Sequence, residues 1–393
     1  MYLIKGIVKN YPWGGTSYLP NLLGTANKEQ VPHAEYWLGS HPDGDAVLTN
    51  LPQTTLRSFI KDHPGKIFPP NHAQKDGGLP FLFKVLDVRN MLSIQLHPDK
   101  ETAMQGFIKE NAQGKSRDAF DRVYKDGNHK PELMVALSEF WLVQGFKSTE
   151  QILSTLDGSK ELASLKSIFI EGGLAHLYRY IMQADQATIN ALLKPLGKRI
   201  KPQYESGELA KDDINFWAAR AFITFNQQGK CDRGILSLYL MNLVQLKKGE
   251  GIYQAPGVLH AYLEGQNVEC MANSDNVIRG GLTPKHIDVP LLLELVSFSQ
   301  DRPIIVHPEQ QAGGLETYQT PAQEFVLSTV TAQPSVEIDS SAANLMICID
   351  GAYEVTATEG SCSLEKGDAI LLTVNDHARI ITLQSGQLFV AQL

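Results

Sequence analysis

The spacing of apolar and polar positions divides the chain into three textures. Residues 1 to about 145 carry short apolar runs broken by YPWGGTS, HPDGD and KDGGLP, turn signals that predict β structure with long loops and no long amphipathic helix. From about 148 to 240 the period changes. TEQILSTL, ELASLKSIFI, GLAHLYRYIM, ATINALL and DINFWAARAFITF place apolar residues three and four apart, which predicts a block of helices. Asp185 and Asp212 stand where N-caps belong, and Gly229 closes the last helix. The basic run Lys194, Lys198, Arg199 and Lys201, beside Pro195, Gly197 and Pro202, reads as a solvated loop at a helix exit. Strand texture then returns in NLVQLKKGEGIYQAPGVLHAYL and persists through FVLSTVT, LMICIDGAYEVTA, SLEKGDAILLTV and GQLFVAQL.

A mainly β protein with an α insertion follows. Residues 1–147 plus 241–310 form a first β unit, 148–240 a helical insertion, and 311–393 a C-terminal β unit. The β units share a short repeat, LKKGEGI at 246–252 and LEKGDAI at 364–370, each reading as a strand, a Gly-acid turn and a strand. The first copy runs on to PGVLH and His260. At the same distance the second offers Asn375, Asp376 and His377 with no Pro-Gly before them. Two related β-barrel units are expected, the second having lost its site.

Charge narrows the partners. With 35 basic and 43 acidic residues the formal net charge is -8, which disfavours a broad polyanion surface and so nucleic acid, and confines any anion site to a local pocket. Cys231, Cys270, Cys348 and Cys362 lie far apart without a C-x-x-C, as reduced thiols of a cytoplasmic protein do. MYLIKGIVKN is interrupted by Lys5 and Lys9, and LPFLFKVLDV and VPLLLELV are too short to cross a bilayer, so no signal or membrane segment is expected. Nothing resembles a coiled coil or a long apolar edge, and the expectation is a monomer.

Chemistry concentrates in four segments. In MLSIQLHP, Leu92, Ile94 and Leu96 share one face of a strand and Ser93, Gln95 and His97 the other. That stripe is a solvent-exposed face unless the strand is central, in which case inward polar groups need partners such as a metal. NHKPELMVAL gathers His129, Lys130 and Glu132, and APGVLHAYL sets His260 after a Pro-Gly turn. Gln95, His97, Glu132 and His260 make an N2O2 set that suits Zn2+, while two histidines and a carboxylate suit non-heme iron equally. VECMANSDNVIRGGLTPKHID holds Glu269, Asp275, Arg279 and Lys285 around Gly280 and Gly281. Two cations framing a Gly-rich turn suit a small phosphorylated ligand, and a mixed-charge surface loop is an equal reading of residue types alone.

YPWGG, AEYWLGSHP, LPFLFKVLDV, LSIQLHP, GFIKENAQG, NHKPEL, PGVLHAYL and MANSDNVIRGGLTPKHID, in this order, resemble the type I mannose-6-phosphate isomerases (phosphomannose isomerases) of the cupin superfamily. The helical middle and the C-terminal unit match in texture and length. The resemblance implies two cupin-type jelly-roll β-barrels plus a helical domain. It implies one Zn2+ per chain at Gln95, His97, Glu132 and His260, and interconversion of mannose 6-phosphate and fructose 6-phosphate through a cis-enediol. It places Arg279, in the family's R-x-G-L-T-P-K motif, in the active site, with Lys130, Glu269, Asp275 and Lys285 around the sugar phosphate. For the C2 proton Glu269, His129, Asp275 and Lys130 are all candidates. Strand alternation with Met271 and Asn273 ranks Glu269 first, and an imidazole's neutral titration ranks His129 second. Phosphate is expected at Lys285 and Arg279, with Ser93 a hydroxyl donor. Two alternatives remain: an iron-dependent cupin oxygenase using His97, Glu132 and His260, and a non-catalytic sugar-phosphate-binding cupin. The Arg279 and Lys285 segment argues against the first, and the intact ligand set against the second.

Overall fold

Among the described residues, alternation along the strands becomes the two faces of two large antiparallel sheets, one of eleven strands and one of ten. The computed structural model describes residues 1–70, 77–331 and 333–393, so the first two residues of KDGGLP lie outside the described residues. In the eleven-stranded sheet the run Gly251–Gln254, Glu132–Ala136, His260–Ala272, Phe81–Val88 and Glu35–Leu38 forms the centre. Every residue of Phe81–Val88 is buried, so both faces of this strand are covered. Phe81, Phe83 and Val85 meet Leu133, Val135, Val268 and Cys270 on one side. Leu82, Lys84 and Leu86, one position out of phase, face the other.

The first face packs against the ten-stranded sheet, which contributes Leu345, Ile347, Leu371, Phe389 and Ala391 to the same apolar layer. That sheet is built on two long strands, Asn344–Ala357 and His377–Gln392. Their alternate residues, Met346, Cys348, Val355, Ala378, Leu388 and Val390, form a separate core on its far face. Each apolar side chain buried in these layers contributes about 1.5–3 kcal/mol relative to exposure. The two copies of the repeat both sit at a strand–turn–strand: Met241–Leu246 into Gly251–Gln254, and Gly360–Leu364 into Ala369–Leu372.

Strand pairing crosses the boundaries read from texture. Tyr2–Lys5 lies in the ten-stranded sheet, with Tyr2 opposite Leu371 and Ile4 opposite Leu48. Pro308–Gln310 also joins that sheet, through Glu316–Tyr318. Texture marks an element's type and says nothing of its partner.

Five helices fill residues 149 to 240: Thr149–Asp157, Ser164–Gln183, Gln186–Glu205, Ile214–Phe225 and Gly234–Leu240. Leu177, Tyr178, Ile181, Trp217 and Phe222 pack in one cluster with Phe146, Leu259 and Ile278 of the first sheet. Asp185 caps its helix by accepting from the Thr188 amide at 2.7 Å. The next cap is Asp213, which accepts from Asn215 at 2.8 Å, and not Asp212; adjacent aspartates offer the pattern equal caps. Gly229, with φ 76°, sits in a turn beyond a helix that has already ended at Phe225. The basic run is helical, because Gln186–Glu205 continues through Pro195 and Pro202; buried Leu193, Leu196 and Ile200 hold it together while each proline removes one backbone bond. Arg199 there donates to Glu161 at 2.9 Å.

A helix also stands in the N-terminal region where none was expected. Lys100–Ala112 is capped by Asp99, which accepts from the Thr102 amide at 2.8 Å. Only Ala103 and Glu110 of this helix are buried, so it has no apolar stripe to announce it. No helix among the described residues is long and apolar enough to cross a membrane. All four cysteines are free.

Candidate active site

Register alone assembles the site on the inner face of the eleven-stranded sheet. Directly opposed residues of an antiparallel pair point the same way. Leu82, Met271, Glu132 and Gln254 oppose one another in one row, and Trp37, Lys84, Glu269 and Met134 in the row two residues away. A third row runs Arg279, Gln95, His260 and Gln144, where the short strand Ile94–Leu96 bridges Ile278–Gly281 to His260–Ala272. Glu132, Glu269, Lys84, Gln95, His260 and Arg279 thus come from five strands.

His97, Glu132 and His260 are buried with their ligand atoms within 4.8 Å of one another. Each imidazole Nε2 lies 3.4 Å from a different oxygen of Glu132. His97 Nδ1 donates to the Asn276 carbonyl at 2.8 Å and His260 Nδ1 to the Val258 carbonyl at 3.0 Å. Those bonds fix the tautomer and leave both Nε2 atoms as lone-pair donors. Among the described residues neither Nε2 has a hydrogen-bond partner, which two buried nitrogens sustain only if something else takes their lone pairs. Burial lowers the His97 imidazole to about 4, so it is neutral at pH 7. Burial would raise the Glu132 carboxyl, but Lys130, 3.0 Å away, and His97 hold it well below its ordinary range. Two imidazoles and a carboxylate fit a zinc-type ion. Gln95, half-buried, is the cross-strand neighbour of His260.

Beside this cluster is a second buried charge group. Lys84 Nζ donates to Glu269 Oε2 at 3.0 Å and lies 4.0 Å from Glu35, while the Tyr262 hydroxyl donates to Glu269 Oε1 at 2.8 Å. Burial raises the Glu269 carboxyl despite the lysine. Burial opposes the charge on Lys84, but Glu269, Glu35 and Glu132 together raise its pKa.

Arg279 and Lys285 have no carboxylate partner among the described residues. Burial lowers the Arg279 guanidinium, and desolvation, Arg279 and Lys125 together lower Lys285, so three cations gather around one loop. The loop is held from the helical block: Asp232 accepts from the amides of Leu282, Thr283 and Gly234 at 2.8, 3.1 and 2.7 Å. Leu282 adopts φ 53° there, and Gly281 packs so tightly on Gly234 that a Cβ would sit 2.4 Å from its Cα.

Other expected residues are engaged elsewhere. His129 donates from Nε2 to Glu324 Oε1 at 2.5 Å. Asp275 lies 2.9 Å from Arg117 and 3.5 Å from His41. His41, Asp43 and Asp275 also bring ligand atoms together, yet Arg117 already contacts both aspartates. Ser93 is half-buried at the edge of the short strand.

Residues 1–149 match the catalytic domain of type I phosphomannose isomerase. The mannose-6-phosphate isomerase of Rattus norvegicus is 32% identical, covering 96% of this chain and 94% of its own. That of Escherichia coli K12 is 32% identical, with 94% of each chain covered. The chain belongs to the type I phosphomannose isomerases. A solved Salmonella typhimurium mannose 6-phosphate isomerase, described as bound to fructose 6-phosphate and zinc, superposes with a TM-score of 0.89 at 30% identity, covering 100% of both chains.

Within this phosphomannose isomerase fold the sequence reading missed Lys84, Glu35, Asp232 and Glu324. Lys84 had a signal, as the lone charge inside the apolar run PFLFKVL, where a buried lysine needs an acidic partner. Asp232 and Glu324 had none, because what they bind is distant in sequence.

Proposed function

We propose that the chain interconverts mannose 6-phosphate and fructose 6-phosphate as a zinc-dependent aldose–ketose isomerase. The observation that carries this is the buried pair of partnerless Nε2 atoms on Glu132, set one row from the Lys84–Glu269 pair. Gln95, His97, Glu132 and His260 would hold one Zn2+ per chain. Bound there, zinc supplies Lewis-acid stabilisation for sugar oxygens that gain charge.

The isomerisation moves a proton from C2 to C1 and another between O2 and O1, with no net oxidation. Glu269, as carboxylate, takes the C2 proton and returns it to C1 of the cis-enediol. Burial, which raises its carboxyl, makes it a stronger base than an exposed carboxylate, and Lys84 and Tyr262 hold its two oxygens in place. Glu269 stands in the row next to Glu132, whereas His129 is drawn off to Glu324 and Asp275 to Arg117 and His41, and this placement supports Glu269 as first choice. Lys130 serves Glu132 by offsetting its charge. Arg279 and Lys285 take the phosphate, Arg279 also supplying fixed positive charge against the developing oxyanion, and Ser93 adds a hydroxyl donor.

The same proposal includes the architecture: two cupin-type jelly rolls with a helical insertion at 148–240, the first at 1–147 plus 241–310 and the second at 311–393, with Tyr2–Lys5, Val47–Leu48 and Pro308–Gln310 crossing to the second. It also includes a monomer in the cytoplasm, which the four free thiols favour.

The test is a coupled assay of fructose 6-phosphate conversion on the purified protein, after chelation, and after Zn2+ or anaerobic Fe2+ is restored. Activity lost on chelation and regained with Zn2+ is the expected result. No turnover with stoichiometric metal bound would overturn the reading.

A further inference from the structure

Glu324 belongs to the segment between Glu316–Tyr318 and Val326–Val330 of the ten-stranded sheet, yet its carboxylate reaches two segments that flank the other sheet, the loop before Glu132–Ala136 and the start of the helix Lys100–Ala112. Oε1 accepts from His129 Nε2 at 2.5 Å and lies 3.7 Å from Lys100 Nζ. The Glu324 side chain is 11% exposed, and the hydrogen bond from His129 lowers its pKa against burial. Its two partners share a relation to the metal cluster. Lys100 follows His97 by three residues, and His129 precedes Glu132 by three. One carboxylate therefore gathers the segments that deliver two of the three clustered ligands.

The segment that presents Glu324 is itself pinned on both sides. The hydroxyl of Tyr318 donates to the Gly249 carbonyl at 2.9 Å, and both Tyr318 and Phe325 are buried in the layer shared by the sheets. Glu324 is thus mounted on a rigid base. We propose that Glu324, supplied by the C-terminal unit, is a positioning residue for the metal centre, holding the His97 and Glu132 segments at the separation the ion requires. This gives the C-terminal unit a part in the chemistry of the first. The inference rests on the zinc reading of that cluster. Groups that orient ligands without touching the ion are worth about 10–100-fold in metal affinity, and Glu324 acts one step further out, so about tenfold is expected.

The experiment compares the parent with Glu324→Gln, Glu324→Asp and, as a control in the same sheet, Glu337→Gln, which removes only an exposed pair with Arg379. Zinc affinity and release rate are measured by competition with a chromogenic chelator, and the thermal transition of each zinc-free protein is recorded alongside. Glu324→Gln should bind zinc about tenfold more weakly and release it faster, Glu324→Asp should recover part of the loss, and Glu337→Gln should match the parent. Excess zinc should restore most of the Glu324→Gln turnover, since every ligand is still present, whereas a collapsed site would not respond. Unchanged affinity and release in Glu324→Gln, in a parent that binds zinc, would overturn this inference alone. A parent that binds no zinc would overturn the zinc reading with it.

Discussion

The two sheets are built alike and filled differently. Each turns one face of its strands to the shared layer and keeps the other for itself. In the ten-stranded sheet the private face is Met346, Cys348, Tyr353, Val355, Ile370 and Val390, a closed apolar core. In the eleven-stranded sheet the equivalent space holds Lys84, Glu132, Glu269, His97 and His260, all buried, above an apolar floor of Leu86, Met134, Phe140 and Leu142. The position matching His260 in the C-terminal unit is Ala378; just before it stand Asp376, which accepts from Thr373 and lies 3.5 Å from the N-terminal ammonium, and exposed His377, paired with Asp339. An interior can close on hydrocarbon and gain stability, or hold paired charges and gain reactivity. Buried charges are costly unless paired, so the second choice is tolerable where a neighbouring layer supplies the packing.

The sharpest way to break this comparison is His260→Ala. With a ligand gone, activity should fall by about 10^4-fold, near 5.5 kcal/mol of transition-state stabilisation. Bound zinc should vanish while the circular dichroism spectrum stays unchanged. Full zinc and full activity would refute the assignment.

Phe389→Ala cuts into the layer that both sheets share and should cost about 3–5 kcal/mol. Both sheets should melt earlier in one transition, with kcat unaltered below it. Independent melting of the two sheets would show that the layer does not couple them.

Arg279→Ala should lower kcat by about 10^2-fold, near 2.7 kcal/mol, with a smaller change in KM, if the guanidinium serves mainly the transition state. An effect on KM alone would make Arg279 a ground-state phosphate anchor.

The smallest effect is in acid. Burial would raise the Asp275 carboxyl, but His41 and nearby lysines lower it to about 2, from an ordinary 3.8. A carboxyl depressed on folding stabilises the native state above its unfolded pKa, and that contribution fades as pH falls from about 4 toward 2. Glu269, raised on folding, works in the opposite direction. Hydrogen exchange should therefore show the acidic loop around Asp275 opening before Asn344–Ala357. Asp275→Asn should reduce the stability difference between pH 5 and pH 2 by on the order of 1 kcal/mol, and an unchanged difference would remove Asp275 as its source.

What the sequence disclosed follows the range of the interactions. The cluster of His97, Glu132 and His260 was legible because each member sits in a local signal: alternation around His97, a proline before Glu132, a Pro-Gly turn before His260. The helical block was legible because its apolar period is local too. Lys100–Ala112 was not, since its stability comes from Asp99 at one end and from buried Glu110, which accepts from the Tyr124 amide at 2.7 Å, rather than from an apolar stripe. Lys84 was read as part of an apolar strand because its partners, Glu35 and Glu269, arrive from other strands. The reading of Lys194 to Lys201 as a loop gave proline more weight than the buried leucines around it.

The pairing of Tyr2 with Leu371 bears on how the chain is made. Synthesis proceeds at roughly 5–20 residues per second, so Tyr2–Lys5, which meets Val47–Leu48 early, waits on the order of half a minute for Ala369–Leu372 on its other side. Until then the rest of the N-terminal portion has a bare edge, and closing so distant a contact is slow in any case. The strand Ala369–Leu372 acts as the clasp on a necklace, worn securely only after the last bead is threaded. Nascent chains stalled short of residue 369 should be cut by protease near the N-terminus, and chains released at full length should resist.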